Sequence, residues 1–107
     1  MKASADSGEC AKILKALGDE SRLRIVRLLL HGEKCVSEIV DSLGMIQPQA
    51  SHHLSILRSS GLVATRREGN KVINFIPPGK FFPRKNKAGI NLGCCSIDFD
   101  PPRRPAA

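Results

Sequence analysis

Residues 47–61 read "QPQASHHLSILRSSG", and the fold turns on how this stretch is arranged. At about 100° per residue, Ala50, Leu54 and Leu57 fall on one helical face. Pro48, His52, Ser55 and Ser59 fall opposite, with Gln49 and Ser51 on the flanks. Pro48 suits the first helical position, with Gln47 before it. The outward face is short, polar and uncharged near its start. Such a face can be an ordinary solvated surface. It also suits a DNA major groove, where amides and hydroxyls meet base edges and Gln pairs bidentately with adenine. His53 lies closer to the buried side, which makes it a packing residue or a phosphate contact.

The stretch before it, "CVSEIVDSLG" at 35–44, turns Val36, Ile39, Val40 and Leu43 inward and ends on Gly44. Two short helices joined by a few residues that include glycine form a helix-turn-helix signature. Upstream, "ECAKILKALG" places Ile13, Leu14 and Leu17 at helical spacing and closes on Gly18. In "DESRLRIVRLLLHG", Asp19 is a candidate N-cap and Gly32 a stop, with Arg22, Arg24 and Arg27 interleaved among apolar residues. Downstream, the β-prone segments "LVATRR" and "KVINFI" flank "EGN", which predicts a hairpin with Arg66, Arg67 and Lys71 around its tip. Basic side chains there would hold phosphates and fix register without reading sequence.

Four helices followed by a hairpin predict a mainly α fold with a small β-hairpin, a winged helix-turn-helix over residues 8–76. Pro77, Pro78 and Pro83 argue for a basic, proline-rich connector over 77–89. "INLGCCSIDF", 90–99, reads as a strand, and 100–107 as a disordered tail.

Composition narrows the function. The 107 residues carry a net charge of +7, which suits a polyanionic partner, most simply nucleic acid. Four Phe with no Trp or Tyr exclude an aromatic platform for single strands. No apolar run approaches the ~20 residues of a membrane span, and the first ten residues lack a signal-peptide centre. The expectation is a cytoplasmic protein with no membrane partner. There, cysteines read as ligands, sensors or packing before they read as disulfides. No cysteine sits in a phosphate-cradling loop or a Cys-x-x-Cys element, so an enzyme is not expected.

Residues 16–40, "ALGDESRLRIVRLLLHGEKCVSEIV", followed by 47–75, resemble the ArsR/SmtB family of metal-responsive bacterial repressors. The likeness spans about residues 8–76. Its most specific parts are "ALGDESRLRI" and "ASHHLSILRSSGLV". The resemblance implies a homodimer that represses its operon and releases DNA when a toxic ion or thiol-reactive species binds. It also implies that Gln47, Gln49, Ser51 and His52 belong to the DNA-reading helix. Since one short helix covers only a few base pairs, the expected partner is double-stranded operator DNA with an inverted repeat. Two departures stand out. Many relatives cap the reading helix with Ser or Thr where this chain has Ile46, so the cap must shift to Gln47 or go unfilled. Relatives also carry a long dimer-building helix after the wing, which the prolines here make short or absent.

Family effector sites can be checked against the four cysteines. A Cys-Val-Cys pattern at the third helix appears here as Cys35-Val36-Ser37, half a site. His31, His52 and His53 all precede the wing, so the Asp/His site for zinc on a C-terminal helix is missing. Cys94 and Cys95 are similar to the vicinal pair near the C-terminus of arsenical sensors. Trivalent arsenic and antimony take three thiolates in a pyramid, and soft thiolate sites select soft ions. As(III) or Sb(III) is therefore the expected effector, with nothing permanently bound. Ile90, Leu92 and Cys94 share one strand parity, and Cys95, Ile97 and Phe99 the other. A bulge at Gly93–Cys95 would restore the phase and turn both sulfurs the same way. Cys35, at a helix N-terminus that favours thiolate, is the preferred third ligand. Cys10 is the alternative; otherwise it is a packing or dimer-contact residue. The rival function is a sulfide- or redox-sensing repressor of the same fold, pairing Cys35 with Cys94 or Cys95. A cadmium or lead sensor ranks below it.

Overall fold

The computed structural model describes residues 7–84 and 87–99. Each helix has an identifiable reason for its ends. Helix α1 (Ser7–Leu17) gives way at Gly18 to α2 (Glu20–Leu29), whose N-cap is Asp19, accepting from the Arg22 backbone N–H at 3.1 Å. Arg22 Nε in turn donates to the Ala16 carbonyl at 2.6 Å, placing a cation on the C-terminus of α1. Arg24 Nη2 does the same for the Leu43 carbonyl at 3.0 Å. These two arginines tie the end of one helix to the body of another.

Strand β1 (Lys34–Cys35) leads into α3 (Val36–Leu43). Glu38 Oε1 accepts from the Cys35 N–H at 2.9 Å, satisfying one of the open donors at that helix start. Gly44, at φ 69°, takes the left-handed position that stops α3 and turns the chain toward α4 (Gln47–Ser59). Gln47 and Pro48 are its first two residues, one place earlier than the sequence spacing predicts. The wing is the hairpin of β2 (Ala64–Glu68) and β3 (Lys71–Phe75), with Glu68 opposite Lys71. β1 joins on the far side, giving an antiparallel sheet in the order β1-β3-β2. Asn74, buried at 1% exposure, donates to the Lys34 carbonyl and locks that junction.

The chain beyond the wing departs from the expected connector and single bulged strand. A 3₁₀ turn at Pro78–Lys80 precedes β4 (Phe81–Arg84), β5 (Lys87–Asn91) and β6 (Ser96–Phe99), an antiparallel sheet in the order β4-β5-β6. Pro83 is accommodated because β4 is an edge strand, where a missing N–H can face outward. The parity switch comes from a chain reversal. Asn91 pairs with Ser96, and the Leu92 N–H donates to the Cys95 carbonyl at 2.8 Å. Gly93 and Cys94 form the tip, and Gly93 has φ 95°, the positive value that tight hairpin turns require. Where a bulge was expected, a two-residue turn changes the phase. The expected tail, 100–107, lies outside the described residues.

One core unites both parts. Ile25, Val26, Ile39, Ala50, Leu54, Leu57 and Leu62 are fully or almost fully buried, and Ile90 and Leu92 join the same cluster.

Candidate nucleic-acid interface and sulfur cluster

The periodicity of α4 is realised as read. Ala50, Leu54 and Leu57 are fully buried, while Gln47, Pro48, Gln49, Ser51, His52 and Ser55 are exposed. Ile46 is the N-cap and makes no side-chain cap hydrogen bond, so the cap goes unfilled. His53 faces inward. Its Nδ1 lies 3.3 Å from Arg22 Nη1 and 3.9 Å from Asp19 Oδ2, seating α4 on the start of α2. Hydrogen bonding from the Arg22 backbone, helped by the nearby guanidinium, holds the Asp19 carboxyl below its usual value.

The wing separates residues that the sequence groups together. Arg67 and Lys71 are exposed near its tip. Arg66 instead donates through Nη2 to Glu33 Oε1 at 2.6 Å and through Nε to Glu68 Oε2 at 2.7 Å. Its guanidinium carbon also sits 5.5 Å from the Phe75 ring centroid. Glu33's carboxyl is held below its usual value by the Arg66 hydrogen bond. Arg66 thus braces the wing against the segment before β1, with its Nε and Nη2 donors engaged by carboxylates. Nothing in local sequence signals this, because Glu33 lies 33 residues away.

The four cysteines divide differently from expectation. Cys35 is not brought to the C-terminal pair. It is the N-cap of α3, buried beside the wing sheet, with Sγ 3.2 Å from Ser37 Oγ. Cys10 is brought there instead. It lies on the inner face of α1, its Sγ 3.6 Å from the Leu92 carbonyl, and forms a disulfide with Cys94 across 84 residues. Cys95 is a free, exposed thiol whose Sγ is 3.7 Å from that of Cys94. Three sulfurs from two distant segments therefore meet where α1 touches the β5–β6 turn. No group of three or more His, Cys, Asp or Glu side chains placed to hold a metal ion exists among the described residues.

An exposed polar helix in a helix-turn-helix, a basic wing and one shared core define a winged-helix DNA-binding protein. Residues 19–65 match the family described as bacterial regulatory protein, arsR family. The chain is 48% identical over 62 residues to an uncharacterised HTH-type transcriptional regulator, MJ1325, of Methanocaldococcus jannaschii, covering 57% of this chain and 70% of that protein. It is 44% identical over 63 residues to the arsenical resistance operon repressor of Staphylococcus aureus, covering 59% of this chain and 61% of that one. Among solved structures, the homodimeric winged helix-turn-helix DNA-binding domain (fragment 1–100) of Mb0332 from Mycobacterium bovis superposes with a TM-score of 0.63. That pair shares 37% identity over 71% of this chain and 75% of the other. This chain belongs to the ArsR family, whose members are DNA-binding transcriptional regulators and not enzymes. The family match ends at residue 65, before the C-terminal sheet and its cysteine pair. Among the described residues no helix is long and apolar enough to cross a membrane.

Proposed function

We propose that this chain is a homodimeric repressor that holds an inverted-repeat operator and releases it when trivalent arsenic or antimony binds Cys10, Cys94 and Cys95. Gln47, Gln49, Ser51, His52 and Ser55 would face the bases, with Arg67 and Lys71 on phosphates. The reading rests on the convergence of the three sulfurs between α1 and the β5–β6 turn. Cys10 replaces Cys35 as third ligand for a geometric reason: α1 lies against Leu92, whereas Cys35 is committed to the wing sheet. Binding requires the disulfide to be reduced first, with two electrons and two protons from a dithiol. Each thiol then displaces one hydroxide from arsenite as water, and arsenic stays trivalent. An ion gripping α1 and the turn together can favour one arrangement of the two, and an effector shifts occupancy only through such a preference.

A second reading is favoured by the closed disulfide itself. A hydroperoxide can oxidise Cys10 and Cys94 to the disulfide while being reduced to an alcohol and water, making the redox state the signal.

Gel-shift titrations of the reduced protein distinguish these readings. Arsenite is expected to release wild-type and Cys35→Ser protein from DNA but to leave Cys10→Ser, Cys94→Ser and Cys95→Ser bound. Release by peroxide alone, lost in Cys10→Ser but kept in Cys95→Ser, would favour the redox reading. A Cys35→Ser protein deaf to arsenite beside a responsive Cys10→Ser would remove this cluster from both.

A further inference from the structure

Ile46 is out of place by two local criteria. It is 67% exposed, above the other exposed large apolar side chains among the described residues, Leu14 at 44% and Val72 at 40%. It also occupies the N-cap of α4, with φ −86° and ψ 152°, where it makes no side-chain hydrogen bond. That backbone conformation is the one in which Ser, Thr, Asp or Asn would accept from the N–H of the second or third helical residue. Pro48, the second residue, has no N–H, so the donor left without a capping side chain is that of Gln49. A branched apolar side chain here satisfies neither helix capping nor burial.

The neighbours indicate what covers it. Ile46 shares the start of α4 with the exposed Gln47 and Gln49, and there is no acidic residue in that first turn. In helix-turn-helix proteins this end of the second helix meets base edges in the major groove. Along those edges the distinctive apolar group is the C5-methyl of thymine. We propose that Ile46 packs on a thymine methyl of the operator, beside the bases met by Gln47 or Gln49, and so determines sequence preference at that base pair. The inference rests on the DNA-binding reading of α4. It does not depend on which effector the cysteines bind.

The test uses the reduced full-length protein and a duplex it selects from random DNA. Each thymine is then replaced singly by deoxyuridine, which removes the methyl and keeps the pairing. Wild type should lose roughly fourfold in affinity at one position per half-site, the amount expected for one buried methyl. Ile46→Ala should bind the thymine duplex about as weakly as wild type binds the deoxyuridine duplex, and be indifferent to the replacement. Ile46→Val should keep part of the discrimination. Ile46→Ser should also be indifferent, yet its thermal midpoint should rise by about 4–8 °C because the cap is restored. That opposition of stability and specificity is a result which a folding defect cannot imitate. The inference is overturned if wild type binds the selected duplex but ignores every deoxyuridine, or if Ile46→Ser still discriminates the methyl. Failure of wild type to select any duplex would overturn the DNA-binding reading itself.

Discussion

The helical and wing part, residues 7–75, and the C-terminal sheet, β4 to β6, are held by different means. In the first, three helix ends are satisfied by nearby or facing side chains, the start of α4 excepted: Asp19 on the Arg22 N–H, Glu38 on the Cys35 N–H, Arg24 on the Leu43 carbonyl. Its core is a dense set of fully buried aliphatic residues. The sheet, in contrast, enters that core through Ile90 and Leu92 and is fastened by one disulfide to α1. The proposed DNA-reading surface thus stands on the part with redundant support. The sulfur cluster lies on the seam between the two parts.

The largest expected effects test whether the parts are separable. Leu54→Ala should lower global stability by ~2–5 kcal/mol, as deletion of a buried Leu does, read by urea denaturation. Reducing Cys10–Cys94 frees a long loop and should remove about 2–4 kcal/mol. After reduction, amide exchange should quicken more at residues 90–92 than at 54–57. Equal loss of protection at both places would show that the two parts open as one.

A smaller effect separates the two wing arginines. Arg67→Gln should weaken binding to all duplexes alike and reduce the slope of log affinity against log salt by roughly one contact's worth. Arg66→Gln should leave that slope intact, because Arg66 is engaged by Glu33 and Glu68. A slope change in Arg66→Gln as large as in Arg67→Gln would mean that the brace opens on DNA.

The smallest effect concerns acid. Asp19, Glu33 and Glu38 all have carboxyls held below their ordinary values, for Glu38 chiefly by the Cys35 N–H. A depressed folded value means stabilisation that is present above the unfolded value and is lost as pH falls through the folded one. These groups should therefore contribute no pH dependence between pH 6 and 8 and a decline in stability below about pH 4. Glu38→Gln should flatten part of that decline. A thermal midpoint unchanged between pH 6 and 3 would contradict the capping roles.

Most of the winged-helix part was legible because its signals are local. Apolar residues at helical spacing placed Ala50, Leu54 and Leu57, a side-chain acceptor placed Asp19, and a left-handed glycine placed the end of α3. The C-terminal stretch misled for an equally physical reason. Alternation along 90–99 breaks in the same way at a bulge and at a two-residue turn, and the partner strand that decides between them lies in 87–91.

By itself, then, the sequence determined the four helices, the wing and the exposed polar face of α4, since each depends on contacts within a few residues or on one periodic face. Tertiary structure alone decided three things. Arg66 became a brace by meeting Glu33, the C-terminal stretch became a sheet by pairing β5 with strands on both sides, and Cys10 took the place at Cys94 that the helix N-terminus had recommended for Cys35. Arg66 and Cys10 meet partners 33 and 84 residues away, and no local propensity or pattern records which distant segment a side chain will meet. The sheet pairs neighbouring strands, and only that pairing tells a turn from a bulge.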